Sequence, residues 1–201
     1  MRPHRSSLSP FPLRACSRAL AARLTLAAGA LHATTIHGPA DVATLTRASV
    51  AVVRARVVSR QSHFGAGGEK SGLIFTTVEL EALEQWSGDP VDARIAVRTP
   101  GGAAGALEQE VVGAPTFAEG EEVVLFLRLR APASARRLAL YEVSRWALGK
   151  FTVRAATPGA PVRVRRDRSG VECVGCAAGE RDELSLDELR EQVRAAAQER
   201  P

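Results

Sequence analysis

Glu121-Glu122-Val123-Val124-Leu125-Phe126-Leu127-Arg128-Leu129-Arg130 is the stretch from which the fold is read. Val123, Leu125, Leu127 and Leu129 recur at every second position, the period at which a strand sends side chains to one face. Val124, Phe126, Arg128 and Arg130 take the other face. The same alternation appears upstream. Residues 49–60 read as a strand in which Val53, Ala55 and Val57 alternate with Arg54, Arg56 and Val58. Residues 73–86 read as a long second strand, with Phe75, Thr77, Glu79 and Glu81 set against Val78, Leu80 and Ala82. The pattern slips near Ala82 and Leu83, which predicts a bulge. Residues 93–99 form the third strand, Ile95 and Val97 opposite Arg94, Ala96 and Arg98.

The connections follow from turn chemistry. Residues 61–72 are polar and glycine-rich, and Ser87-Gly88-Asp89-Pro90 turns the chain. Residues 100–120 make a long loop rich in Gly, Ala and Pro, a length usual for functional or disordered segments. Downstream, residues 141–154 read as two strands or one bent strand broken at Gly149. Residues 161–174 read as a hairpin around Asp167-Arg168-Ser169-Gly170. Two helices complete the pattern. Asp41 caps a short one over 41–48, with Val42, Leu45 and Ala48 on one side. Ser185 opens a C-terminal one, with Glu188 completing a capping box and Leu186, Leu189 and Val193 at helical spacing.

Alternating strands without intervening helices argue against a parallel α/β fold. The chain is expected to be mainly β, a small closed or partly open antiparallel barrel of the OB-like Greek-key type with one short N-terminal and one C-terminal helix. A β-sandwich is the alternative. The barrel domain is assigned to 34–155. A C-terminal part, 156–201, carries the hairpin, a C-x-x-C and the amphipathic helix, packed on the barrel.

Charge divides the chain unevenly. Residues 1–33 hold five arginines and no acid; removing those five from 27 Lys and Arg leaves 22, against 22 Asp and Glu. The basic character therefore belongs to a leader, not to a nucleic-acid surface. A long basic region, the short apolar core Leu24 to Leu31 and small residues beyond it fit a secretory signal, cut after Ala33 or alternatively after Ala30. The core is too short to span a bilayer. No transmembrane segment is expected in the mature chain, which is assigned to the periplasm or the extracellular space.

Cys173 and Cys176 form a C-x-x-C, and only His37 and His63 remain as further soft ligands, so a zinc site is not expected. In an oxidising compartment the pair reads as a disulfide. A redox-active dithiol is the sharper alternative, but Gly175 and Gly179 suggest a loop rather than the helix start such motifs use. Gly101-Gly102-Ala103-Ala104-Gly105 lacks the ending of a phosphate loop. Glu119, Glu121 and Glu122 read as a solvated acidic run. Arg163, Arg165, Arg166 and Arg168 are the best basic cluster. Trp86 and Trp146 are expected to pack the barrel. No catalytic set and no cofactor are expected.

Ala-Val-Val-Arg-Ala-Arg-Val-Val at 51–58, Phe-Thr-Thr-Val-Glu-Leu at 75–80, Pro-Gly-Gly at 100–102, Gly-Ala-Pro-Thr-Phe at 113–117, Gly-Glu-Glu-Val-Val-Leu-Phe-Leu at 120–127 and Gly-Lys-Phe at 149–151 resemble a group of exported bacterial β-barrel proteins. The pattern is loosely similar to the netrin-like and TIMP-like OB barrels of secreted metalloprotease inhibitors. That resemblance implies an exported barrel that binds a protein, a protease among the candidates. The inhibitors begin with a disulfide-bonded cysteine that meets the protease zinc, whereas either cut here leaves a start without cysteine, Leu31 or Thr34.

The expected function is therefore a non-enzymatic exported module that binds another envelope or secreted protein, using Gly101, Gly102, Pro115 and Phe117 of the long loop. An extracytoplasmic thiol-disulfide protein using Cys173 and Cys176 is the alternative. A single-stranded nucleic-acid binder is weakest, because the mature part is neutral and poor in aromatics. No nucleic-acid partner is expected.

Overall fold

The computed structural model describes residues 33–65, 72–134, 137–154, 159–177 and 180–199. Of the expected leader only Ala33 falls among them; the alternative cut at Ala30 lies outside the described residues. The elements are β1 (Thr34–His37), α1 (Val42–Ala48), β2 (Ala51–Phe64), β3 (Ile74–Gly88), β4 (Arg94–Pro100), β5 (Gly102–Ala104), β6 (Leu107–Gln109), β7 (Glu122–Ala131), β8 (Leu140–Val143), β9 (Lys150–Val153), β10 (Arg163–Arg166), β11 (Val171–Val174), β12 (Glu183–Ser185) and α2 (Leu186–Gln198). No helix among the described residues is long and apolar enough to cross a membrane.

Five strands close the barrel. β2 pairs antiparallel with β3 and β7, β3 with β4, β4 parallel with β8, and β8 antiparallel with β7. This closed Greek key is a barrel of the OB type, not a sandwich. The strand ladder skips Leu83 between the pairs Arg54–Glu84 and Ala55–Ala82, which is the predicted bulge. Inside, Val53, Ala55, Val78, Leu80, Val97 and Leu125 are fully buried.

A second core lies outside the barrel wall. Val52, Val124 and Phe126 point outward from β2 and β7, yet all are fully buried, packed with Leu45, Val164 and Leu189. The ring of Phe126 sits 6.0 Å from that of Phe151. The first half of β7 is thus apolar on both faces because it is a wall shared by two cores. Its second half, Arg128 to Arg130, is exposed and turns polar. Each large side chain buried this way contributes about 1.5–3 kcal/mol relative to leaving it exposed.

Both helix starts are capped as the sequence implies. Asp41 Oδ1 accepts from the Thr44 N–H at 2.9 Å, and Ser185 Oγ accepts from the Glu188 N–H at 3.1 Å. The Glu188 carboxylate faces Arg181 instead of closing the box. Ala48 is exposed; Thr46 takes the buried place expected for it, its hydroxyl donating to Val42 O. Gly149 ends a 3₁₀ turn (Trp146–Gly149) between β8 and β9, the break expected there. A Cβ at Gly149 would lie 2.1 Å from Ser144 O.

Three expectations need correction. The strand expected over 49–60 does not stop at Arg60 but runs to Phe64, because β3 offers partners from Glu79 to Ile74. The 100–120 loop contains a short hairpin, β5 with β6. The 161–174 segment is not a hairpin. β10 pairs with β9 on one side and β12 on the other, so neither edge is left for β11. The Asp167 carboxylate accepts from the Ser169 N–H and hydroxyl, Gly170 turns at φ +70°, and β11 leaves to pair in parallel with β1.

Candidate functional site: a groove under the long loop

The sequence from Pro100 onward cannot continue β4, because two glycines with positive φ, Gly101 and Gly102, turn the chain back across the β2–β3 arm. Gly102 lies so close to that arm that a Cβ would meet Thr76 Oγ1 at 2.3 Å and Ser62 Oγ at 2.4 Å. The two hydroxyls bond each other at 2.9 Å, and Thr76 Oγ1 also donates to Gly101 O. Farther along, Thr99 Oγ1 donates to Pro115 O at 3.0 Å and Arg60 Nη1 donates to Phe117 O at 2.6 Å. Phe117, only 5% exposed, plugs the barrel interior. The loop is therefore fastened at both ends.

Between the loop, the arm and the 167–170 turn lies a cavity of about 550 Å³. Gly101, Gly102, Pro115 and Phe117 all line it, so the structure brings the four expected loop residues together. Pro115 and Phe117 are buried and form its wall. Arg60, Lys150, Thr152 and Asp167 complete the lining from other parts of the chain.

Sequence reasoning missed the ionic cluster beside the groove. Lys150, 9% exposed, donates to Glu121 Oε1 at 2.7 Å and to Thr152 Oγ1 at 3.2 Å, and Thr152 Oγ1 donates to the same Glu121 oxygen at 2.7 Å. Burial pushes the Glu121 carboxyl up, but these hydrogen bonds and the Lys150 charge outweigh it and hold the group below the ordinary glutamate range. Glu122 pairs with Arg54. The acidic run is therefore not a solvated segment: two of its three carboxylates are ion-paired. Only the Gly-Lys-Phe step at 149–151 pointed toward Lys150, and nothing local linked it to Glu121.

The basic cluster also reads differently. Arg163 pairs with Glu183, Arg166 with Glu180, and Arg168 with Glu180 and Asp182. Arg166 is 2% exposed and stacks on Phe151 at 4.6 Å. Burial, opposed by Glu180, lowers the Arg166 pKa. Arg163, Arg166 and Arg168 tie the 180–183 segment to the sheet, and of the four only Arg165 is exposed without an ion pair among the described residues. Trp86 packs in the outer core, whereas Trp146 is 38% exposed and, like Arg145 before it, adopts a left-handed backbone. The turn leaves no room for a side chain at its end, where a Cβ on Gly149 would run into Ser144 O.

Cys173 and Cys176 form a disulfide at the end of β11, not at the start of a helix. His63 Nε2 meets Thr77 Oγ1 at 3.0 Å on the β2–β3 arm, while His37 ends β1. Among the described residues no three His, Cys, Asp or Glu side chains converge as a metal site requires. What the groove offers is main chain, hydroxyls and carboxylates around a preformed cavity, the chemistry of holding a ligand. No protein-family model matches the chain, and no curated protein matches it.

Proposed function

We propose that the chain is an exported, non-enzymatic OB-type module that binds another envelope or secreted protein through the groove under the 100–120 loop. The observation that carries this reading is the fastening of that loop, by Thr99 to Pro115 and by Arg60 to Phe117, which leaves a standing cavity of about 550 Å³. A preformed site avoids the ordering cost that a mobile loop meets on binding. Export is supported by the acid-free leader composition and by a disulfide, which persists in oxidising compartments. The resemblance to secreted protease inhibitors is compatible with a protease as partner, but the groove, not a cysteine at the chain start, is the contact proposed here.

The test is affinity capture from the envelope and secreted fraction of the source organism. The full chain is compared with a variant in which residues 103–108 are replaced by two glycines. One stoichiometric partner, lost in the variant, is the expected result. A partner captured equally by both forms overturns the assignment to this groove, and no partner overturns the reading as a protein-binding module.

A further inference from the structure

Strand β2 is held on both sides for only half its length. Residues 51–56 lie between β3 and β7. The last bonds on the β7 side run from Val57 N–H to Glu121 O and from Gly120 N–H to Val57 O. Val58 is then skipped in the ladder, and from Ser59 onward β2 pairs with β3 alone. The bond from Gly65 N–H to Leu73 O sets the parity. Hydrogen-bonded pairs alternate along an antiparallel ladder. Ser59, Gln61 and His63 therefore face β3, while Arg60, Ser62 and Phe64 turn their main-chain N–H and C=O the other way. On that side these three N–H groups have no partner among the described residues, and the Phe64 carbonyl is approached only by the adjacent His63 ring, at 3.2 Å. Arg60 and Phe64 are exposed, Phe64 by 47%.

Such an edge is a template for another strand. Arg60 lines the groove with Thr76 and Gly102, and Ser62 lies next to it, its hydroxyl bonded to Thr76 and set against Gly102. The charges around the groove are not balanced. Lys150 is paired with Glu121, which leaves Arg60, bonded only to the neutral Phe117 carbonyl, against three carboxylates: Glu108 and Glu110 make no ion pair among the described residues, and the hydrogen bonds to the Asp167 carboxylate come from Ser169. Building on the protein-binding reading above, we infer that the free edge at residues 59–64 takes an extended peptide segment of the partner as an added strand, with a Lys or Arg side chain directed at Glu108 and Glu110. A bulge at Val58 and a charge at Arg60 discourage flat pairing between two copies of this chain. A single peptide is free to follow the twist.

The test pans a phage-displayed library of random linear octapeptides on the immobilised full chain, and titrates the enriched peptides by fluorescence anisotropy. Ser62→Pro removes one outward N–H without touching the β3 ladder, and Ser62→Ala removes only the hydroxyl. Expected are peptides of alternating apolar residues with at least one Lys or Arg. Their affinity should fall at least tenfold in S62P, stay within twofold in S62A, and weaken several-fold in the Glu108→Gln/Glu110→Gln double variant. On peptide addition, amide exchange should slow at Arg60, Ser62 and Phe64. Peptides that bind S62P as tightly as the parent, slowing confined to residues 101–117, or no enrichment at all each overturn the inference. A concentration-dependent dimer abolished by S62P, without peptide binding, overturns it in favour of a second copy. Partner capture that is lost with the shortened loop yet unchanged in S62P sinks this inference while leaving the protein-binding reading intact.

Discussion

The two halves of β2 are one strand in two situations. In residues 51–57 the apolar set is buried on both faces: Val53, Ala55 and Val57 face the barrel interior, and Val52 faces the helices. In residues 58–64 no residue is buried, and one ladder is missing. The difference shows where stability resides and where an interaction is tolerated. A strand clamped between two cores and two ladders cannot lend its edge to anything. Past the Val58 bulge the same strand has an edge to offer, and the groove lies beside it.

That contrast is open to direct attack. The largest effect is expected from Val53→Asp, which places an unpaired charge in the sealed interior and should abolish the cooperative unfolding transition. Gln61→Asp in the free half should change stability by no more than about 0.5 kcal/mol. Circular dichroism melts of both variants decide it. Next in size is Lys150→Met, which leaves the Glu121 carboxylate largely buried beside Thr152 and should cost about 2–4 kcal/mol at neutral pH.

The same pair carries a pH signature. The Glu121 pKa is lowered in the fold, so its contribution is present above the ordinary glutamate pKa of about 4.3 and is lost as pH falls through the lower folded value. Chemical denaturation from pH 6 to pH 3 should show that acid-side loss in the parent and less of it in K150M. Reducing the Cys173–Cys176 disulfide opens a very short loop and should cost less than the roughly 3 kcal/mol of a 15-residue loop. A melt with and without reductant measures this. The smallest stability effect belongs to Phe64→Ser, within about 0.5 kcal/mol because the ring is exposed. If it destabilises as much as K150M, the arm is part of the core and the comparison between the two halves fails.

The barrel was legible because its strands are alternating and local. Val123, Leu125 and Leu127, the slip at Leu83 and the break at Gly149 are each visible within a few residues. The outer half of β2 was not, since Gln61-Ser62-His63 carries no apolar alternation and is held by pairing with β3 alone. The false hairpin had a sound turn at 167–170, but which strand an edge accepts is decided far away, by β9, β12 and β1. In the candidate site, the long loop stood out by composition. Lys150 with Glu121, and Arg166 with Glu180, did not, because a charged residue's partner is set by tertiary contact and leaves no periodic mark.

The parallel pairing of Thr34 with Val171 has a consequence for the order in which the chain can be stitched together. During vectorial synthesis β1 emerges early, but it has nothing to dock on until β11 follows, long after β2 and β3 have had time to meet. Closure of β2 on β7 must likewise wait for the middle of the chain, and such distant pairings are slow to form. The segment around Thr34 therefore stays unengaged through most of translation. The strand that opens the described part of the fold is thus among the last to be locked in.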